Sequence, residues 1–270
     1  MSLTVVVVHP DLLGTYGDGG NGVVLVQRAR WRGIDARLLE ATSDAPLPSG
    51  DLYCLGGGED AAQTASAERL RADASFARAV EGGAPVLAVC AGYQIVGLTF
   101  PAADGTPLAG VGLLDVTTSK GTGRRAVGEV LAEPADRSLG LSLLTGFENH
   151  GGVTALGPGV GALARVVAGV GNGDGTEGAI SGRIVGTYLH GPVLARNPSL
   201  ADLLLSWALG APLEPLDDAE EAALREERIA EVHAGRFAAR RFAARRFVAA
   251  RQLGRFAATR QLGRYVRGRS

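Results

Sequence analysis

The sequence has few of the residues that stabilise extracellular proteins or anchor proteins in membranes. Its 270 residues include two cysteines, Cys54 and Cys90, which are too few for a disulfide framework and indicate a reducing, cytoplasmic environment. No run of about eighteen apolar residues occurs, and no charged leader precedes an apolar core at the start, so we expect neither a membrane-spanning helix nor a signal peptide. A hydrophobic share of 46% with 40 glycines instead indicates a compact, loop-rich α/β protein.

Charge is unevenly distributed along the chain. Residues 232–270 contain 11 of the 27 basic residues and no acidic residue, which leaves residues 1–231 with a net charge of −12. This break predicts three parts: a globular domain over 1–215, an acidic helical linker over 216–231, and an Arg/Ala-rich low-complexity tail over 232–270. We expect the tail to be a solvated extension, with weak attraction to an anionic membrane surface as the alternative. Nucleic acid is not an expected partner, because the body is acidic and contains no recognition module.

One cysteine lies between a predicted strand and a predicted helix. The apolar run over 86–89 is typical of a buried parallel strand, and helical spacing begins at Tyr93. The small residues Ala91 and Gly92 beside Cys90 permit a sharp turn, because larger side chains would collide with the following turn of helix. Such a turn holds the sulfur at the carboxyl end of the sheet, at the positive end of a helix, where a nucleophilic thiolate is favoured. A buried core cysteine is the alternative.

The rest of the pattern predicts further strands and helices around this turn. Strands are expected over 4–9, 34–39, 51–55, 111–116, 126–131, 143–147 and 164–170, with helices over 23–31, 61–80 and 200–209. Residues 178–192 are typical of a hairpin whose second strand carries His190 at its carboxyl end. A polar, glycine-rich loop follows the first strand, and we expect Asp18 or Asn21 in this loop to cap the next helix.

Three glycines follow the third predicted strand. Gly56, Gly57 and Gly58 expose backbone for close approach, since side chains at these positions would block it. One of their amide N–H groups could stabilise a developing oxyanion. An ordinary glycine turn is the alternative.

Three segments, in chain order, resemble those of class I glutamine amidotransferases: Gly56–Gly58, Cys90–Gln94 and Tyr188–Pro192. The closer similarity is to the cobyric-acid-synthase-like branch. Within that branch, the segments 16–21, 57–60, 90–94 and 146–152 resemble the glutaminase subunits of lipid II isoglutaminyl synthases, the GatD family. The resemblance spans about residues 4–210. It implies an α/β, flavodoxin-like fold in which helices flank a mostly parallel sheet with antiparallel additions.

The resemblance also implies roles for individual residues in glutamine hydrolysis. Cys90 would be the nucleophile and His190 the base, and the backbone amides of Ala91 and one of Gly57 or Gly58 would form the oxyanion hole. These roles require the five residues to meet at one edge of the sheet.

Glutamine itself needs a clamp for its α-carboxylate, which a guanidinium group fits well. The segment 122–128 resembles the part of the family that contains an essential arginine, and its register favours Arg125 over Arg124, with a solvated surface pair as the alternative. Gln94 is expected to help hold the bound glutamine. His150 belongs to a motif similar to that of the family, and we expect its role to be structural, with a place in the lining of the pocket as the alternative.

One position differs from the best-known triad of the class. Many class I glutaminases have a glutamate two residues after the histidine, where this chain has Pro192. Either Cys90 and His190 act as a dyad, or another carboxylate orients the imidazole. The resemblance to GatD implies that the synthetase partner supplies this acid.

A separate partner chain is expected because the sequence has no Gly-x-x-x-x-Gly-Lys segment for ATP, and its single lysine, Lys120, does not lie in one. The resemblance implies a Mur-ligase-like synthetase subunit (MurT), which uses the ammonia to amidate the D-glutamate of lipid II in peptidoglycan synthesis. It implies no cofactor and no metal ion. A detached glutaminase for cobyrinate-type amidation and a catalytically silent, partner-binding scaffold are the alternatives.

Overall fold

The structure is a computed structural model that describes residues 2–234, so the predicted tail beyond residue 234, with its membrane-surface alternative, lies outside the described residues. In chain order the elements are β1 (Leu3–Val8), α1 (Gly20–Trp31), β2 (Ala36–Ala41), β3 (Leu52–Leu55), α2 (Asp60–Ala72), α3 (Ser75–Glu81), β4 (Val86–Val89), α4 (Ala91–Val96), β5 (Thr99–Pro101), β6 (Pro107–Ala109), β7 (Val116–Lys120), β8 (Ala126–Pro134), a 3₁₀ turn (Arg137–Leu139), β9 (Leu144–His150), β10 (Gly152–Leu156), β11 (Ala164–Ala168), β12 (Thr176–Glu177), β13 (Ala179–Ser181), β14 (Ile184–Thr187), α5 (Val193–Arg196) and α6 (Pro198–Leu209).

The core of the domain is a six-stranded sheet in the order β13-β14-β4-β3-β1-β2. Every neighbouring pair in it is parallel except β13 and β14, which form an antiparallel hairpin. All residues of β1, β3, β4 and β14 are buried, as expected for continuous apolar strands covered on both faces. The predicted class, a mostly parallel α/β sheet with antiparallel additions, is confirmed.

Two smaller sheets lie between α4 and β13 in the sequence. One has the order β10-β7-β5-β6 and the other the order β12-β11-β8-β9. The second is antiparallel throughout, and the register of its longest pair sets Ala126 opposite His150. Because of this pairing, Arg125, just before β8, lies beside the end of β9.

Two predicted elements differ from the structure. The predicted helix over 61–80 is two helices, because the chain breaks at Asp73, whose carboxylate accepts the backbone N–H of Ser75 at 2.9 Å. The predicted strand over 111–116 is a loop that ends at the start of β7. Backbone N–H groups of residues 111–114 donate to carbonyls at the end of α4 and to Gly97, so they are not available to a sheet.

The chain after α6 begins with contacts to α1. Arg28, with a side chain that is 3% exposed, forms salt bridges to Asp202 at 2.8 Å and to Asp218 at 2.6 Å. The first compact unit ends at Arg225, and residues 219–234 are helical. Within residues 2–234, no helix combines the length and the hydropathy needed to cross a membrane.

Candidate active site

Cys90 lies on a strained turn between β4 and α4. Its backbone has φ 52° and ψ −104°, a left-handed conformation that is uncommon for a residue with a side chain. The Cys90 N–H donates to the Thr187 carbonyl at 2.8 Å, which ties the turn to the neighbouring strand. A Cβ at Gly92 would lie 2.6 Å from the Cβ of Leu55, so the turn requires glycine there. The sequence correctly predicted a sharp strand-to-helix turn at this cysteine.

His190 reaches the same edge of the sheet from β14. β14 pairs with β4 in parallel, with Thr187 opposite Val89, and His190 follows three residues later. Its backbone is held by two hydrogen bonds with Phe147: His190 N–H donates to the Phe147 carbonyl at 2.8 Å, and Phe147 N–H donates back at 3.1 Å. The structure therefore brings together the cysteine and histidine that the sequence paired, although 100 residues separate them.

The imidazole of His190 lies between Asp18 and Cys90. Its Nδ1 is 2.9 Å from Oδ2 of Asp18, and because a carboxylate only accepts, Nδ1 carries the proton. Burial lowers the pKa of His190, but the hydrogen bond with Asp18 and the interaction with Cys90 outweigh it and raise the pKa to about 9. Among the described residues, Nε2 has no hydrogen-bond partner at standard distance, so it is free to exchange a proton with the sulfur.

Asp18 is a site residue that the sequence analysis missed. It was predicted as one of two candidate helix caps, but the residue that precedes α1 is Gly19, and no side chain caps this helix. Asn21, the other candidate, instead accepts the Leu194 N–H at 3.0 Å. The signal available in the sequence was the position of Asp18, in the polar loop after β1, at the edge of the sheet where Cys90 was expected.

Asp18 also determines which glycine amide is available to a ligand. The Gly57 N–H donates to Oδ2 of Asp18 at 2.9 Å, so this amide already has an acceptor. Among the described residues, the amides of Gly58 and Ala91 have no acceptor, and both residues line the cavity next to Cys90. Of the two glycines that the sequence left open, Gly58 is the one with a free donor.

A cavity of about 270 Å³ opens beside Cys90. It is lined by Gly58, Asp60, Gln63, Cys90, Ala91, Gln94, Pro101, Ala102, Ala103, Lys120, Gly121, Gly123, Arg125, His150, Gly151 and Gly152. Two cations, Lys120 and Arg125, and one carboxylate, Asp60, are among these residues. This charge distribution suits a small zwitterion such as an amino acid.

The two candidate arginines differ in position. Arg125 lines the cavity, and its guanidinium is held by Asn149: Nε donates to Oδ1 at 2.6 Å and Nη2 donates to the backbone carbonyl at 2.9 Å. Arg124 does not line the cavity. The register argument for Arg125 therefore agrees with the geometry.

Gln94 lines the cavity, and hydrogen bonds to two neighbouring side chains hold its amide in place. Its Oε1 accepts from Nε2 of Gln63 at 2.9 Å, and its Nε2 donates to the Tyr188 hydroxyl at 3.2 Å. His150 stacks on the Tyr188 ring with centroids 3.7 Å apart, and its Nδ1 lies 3.0 Å from the Gly152 carbonyl oxygen. The sequence predicted no contact of Gln94 with Gln63 or Tyr188, because these contacts depend on the packing of α2 and β14 around α4.

The buried carboxylate of Glu177 forms hydrogen bonds with the end of β14. Glu177 accepts hydrogen bonds from the Thr187 hydroxyl and, at 3.0 Å, from the Tyr188 N–H. Burial raises the pKa of Glu177 to about 7, against the effect of these hydrogen bonds. The carboxylate thereby fixes the segment that leads to His190.

The fold and the site together are those of a class I glutamine amidotransferase. A mostly parallel sheet carries a cysteine on a strained turn after β4 and a histidine just after the neighbouring strand β14, with a cavity beside the cysteine. A family model described as the CobB/CobQ-like glutamine amidotransferase domain matches residues 4–198, and the chain belongs to this family.

Comparisons with individual proteins agree with this assignment. The chain is 35% identical over 235 residues to the protein named lipid II isoglutaminyl synthase (glutamine-hydrolyzing) subunit GatD of Staphylococcus aureus, covering 84% of this chain and 94% of the relative. It is 32% identical to the protein of the same name from Streptococcus pneumoniae, over 77% of this chain and 80% of the relative. The resemblance to the GatD family is confirmed.

More distant matches show the breadth of the family and of the fold. A cobyric acid synthase of Pelotomaculum thermopropionicum is 37% identical over 146 residues, which cover 50% of this chain and 27% of that protein. The solved structure of PurLQS from Thermotoga maritima aligns with a TM-score of 0.54 and 16% identity over 78% of this chain and 99% of that chain. At this level of identity, the second match shows the fold alone.

Proposed function

We propose that this chain is the glutaminase subunit of a cytoplasmic lipid II isoglutaminyl synthase, with Cys90 as its nucleophile and His190 as its general base. The observation that carries the proposal is the strained turn at Cys90, which holds the sulfur beside the imidazole of His190 and inside the charged cavity. Strain of this kind persists where the surrounding structure fixes a residue for its chemistry.

In the proposed reaction, the Cys90 thiolate attacks the carboxamide carbon of glutamine and forms a tetrahedral oxyanion. The amides of Ala91 and Gly58 donate hydrogen bonds to this oxyanion, each contributing on the order of 10²–10³ in rate. His190 gives its Nε2 proton to the departing ammonia, which leaves a thioester on Cys90. A water molecule, deprotonated by His190, then attacks the thioester and releases glutamate and the free thiol.

The substrate would lie with its side chain towards Cys90 and its α-carboxylate at Arg125. Because Asn149 holds the guanidinium in place, little side-chain entropy is lost on binding. Gln94, oriented by Gln63 and Tyr188, retains one amide N–H for the ligand.

The names and the coverage of the relatives support the proposed pathway. The two GatD relatives are named as subunits of a glutamine-hydrolyzing synthase, and their similarity extends over more than three quarters of this chain. The cobyric acid synthase relatives align with a much smaller part of their own length. We therefore propose a Mur-ligase-like synthetase (MurT) as the partner that consumes the ammonia, in preference to a cobyrinate-type synthetase.

Co-expression with a Mur-ligase-like chain tests this proposal. We expect the two chains to co-purify and to amidate lipid II in a reaction that depends on both glutamine and ATP. Amidation of a cobyrinate-type acceptor instead of lipid II would support the alternative pathway. A chain that associates with the synthetase, but neither hydrolyses glutamine nor reacts with a glutamine-analogue alkylating agent, would be a silent scaffold.

Replacing Arg125 by alanine is expected to raise the KM for glutamine about 10²-fold or more, because a clamp of two charge-assisted hydrogen bonds is lost. Steady-state glutaminase kinetics measure this change, and the reaction of Cys90 with iodoacetamide, which has no α-carboxylate, should be unaffected. Arg124→Ala is the matched control, since Arg124 does not line the cavity. Equal KM values in the two variants would contradict the assignment of Arg125.

A further inference from the structure

We propose that Asp18 is a positioning residue that orients and charges His190 from within this chain, so that the catalytic set does not need a carboxylate from the partner. This inference rests on the proposed function. It differs from what the resemblance to GatD implies, namely an acid supplied by the synthetase.

The contact between Asp18 and His190 is buried and specific. The side chain of Asp18 is 0% exposed, and that of His190 is 4% exposed. Oδ2 of Asp18 lies 2.9 Å from Nδ1 of His190 and accepts the Gly57 N–H at the same distance. A carboxylate held by a backbone amide offers the imidazole a fixed acceptor, which selects the tautomer with Nε2 free to act on Cys90.

Among the residues that the structure describes, Asp18 is the carboxylate that contacts His190. The titratable groups that face the imidazole are Asp18, Cys90 and Tyr16, whose ring centroid lies 4.7 Å from that of His190. Pro192 stands where many class I glutaminases have a glutamate, and it packs against Gly20 at the start of α1, where an added Cβ would lie 2.5 Å from its ring. Asp18 lies two residues before this glycine, in the loop after β1. The carboxylate that contacts the imidazole therefore comes from this loop and not from the segment that follows His190.

The occupied nitrogen is the main argument against an acid from the partner. Nδ1 of a histidine carries one proton, and this proton is already donated to a fully buried oxygen. A carboxylate from a partner chain would have to displace Asp18, and the Gly57 N–H would then lose its acceptor in the interior.

Asp18→Asn tests this proposal, because the amide oxygen still accepts the Gly57 N–H while the negative charge is lost. We expect kcat for glutamine hydrolysis to fall by about 10²–10⁴, both in the chain alone and in its complex with the synthetase. The carboxylate stabilises the imidazolium and therefore the thiolate–imidazolium pair. In the variant, alkylation of Cys90 by iodoacetamide should shift towards higher pH, by about one unit or more.

The matched control is Asp11→Asn. Asp11 lies in the same loop and accepts two hydrogen bonds from Ser43, but it does not face His190. This variant should keep both the turnover and the pH profile of the unmodified chain. The inference would be overturned if Asp18→Asn hydrolysed glutamine within about threefold of the unmodified chain with an unchanged alkylation profile, or if it lost activity only when the partner was absent.

A second measurement does not depend on the folding of a variant. In the unmodified chain with ¹⁵N-labelled histidine, we expect NMR above about pH 9, where the imidazole of His190 becomes neutral, to show its remaining proton on Nδ1 both with and without the synthetase. A neutral tautomer with the proton on Nε2 would contradict the role of Asp18. Absence of any glutamine turnover in the unmodified chain and in the complex would instead contradict the proposed function, so the two failures are distinguishable.

Discussion

Cys90→Ser is expected to reduce glutamine hydrolysis by at least about 10⁴-fold while the fold is retained. The hydroxyl has nearly the same size as the thiol, so the strained turn at φ 52° and its hydrogen bond to Thr187 should persist. The neighbouring imidazole can hold a proton taken from a thiol, but a hydroxyl is far less acidic and remains protonated. Without a thiolate, the carboxamide carbon is not attacked. Release of glutamate, measured under single-turnover conditions, would detect residual activity.

Cys54→Ala provides the matched control for this substitution. Cys54 is the other cysteine of the chain and lies in β3, where burial raises the pKa of its thiol to about 12 and keeps it neutral. This variant should lose some stability from the small cavity but keep its turnover within about twofold. If the proposed complex with a synthetase forms, ammonium salts should restore lipid II amidation to Cys90→Ser, since the synthetase would no longer need glutamine hydrolysis. Substantial glutamine turnover by Cys90→Ser would exclude Cys90 as the nucleophile.

Gly57→Ala is expected to lower kcat by about 10² or more, although Gly57 need not touch the substrate. An added Cβ would lie 2.7 Å from Cε1 of His190, 3.0 Å from the ring of Tyr16 and 3.2 Å from Oδ2 of Asp18. These neighbours are side chains, so the chain can relieve the overlap by moving the imidazole away from its acceptor. The predicted result is loss of catalysis with a modest loss of stability.

The comparison variant for this prediction is Gly159→Ala, where the nearest atom to an added Cβ is Oδ2 of Asp115 at 3.8 Å. Thermal unfolding and kcat measured on both variants separate a general glycine effect from a local one. If Gly57→Ala melted far below Gly159→Ala and lost activity only through unfolding, the position of the imidazole would not be the cause. If it kept normal kcat, the close packing around His190 would have no catalytic consequence.

Features encoded by neighbouring residues could be predicted from the sequence. The apolar run before Cys90 and the small residues after it define a strand, a turn and a helix within about ten positions, and all three are present. The hairpin that ends near His190 was predicted for the same reason. The strand expected over 111–116 was wrong, because the backbone N–H groups of residues 111–114 donate to carbonyls at the end of α4 and to Gly97 rather than to another strand.

The sequence alone determined the class of fold, the order of its segments and the residue types at one edge of the sheet. Apolar runs, glycines and turn residues specify these through interactions within a few positions. Only the tertiary structure decided that Asp18 meets His190, and that the N–H of Gly57 is occupied while that of Gly58 is free. Each of these outcomes depends on the direction of a side chain or an N–H group after distant segments have packed together, and no local pattern in the sequence specifies that direction.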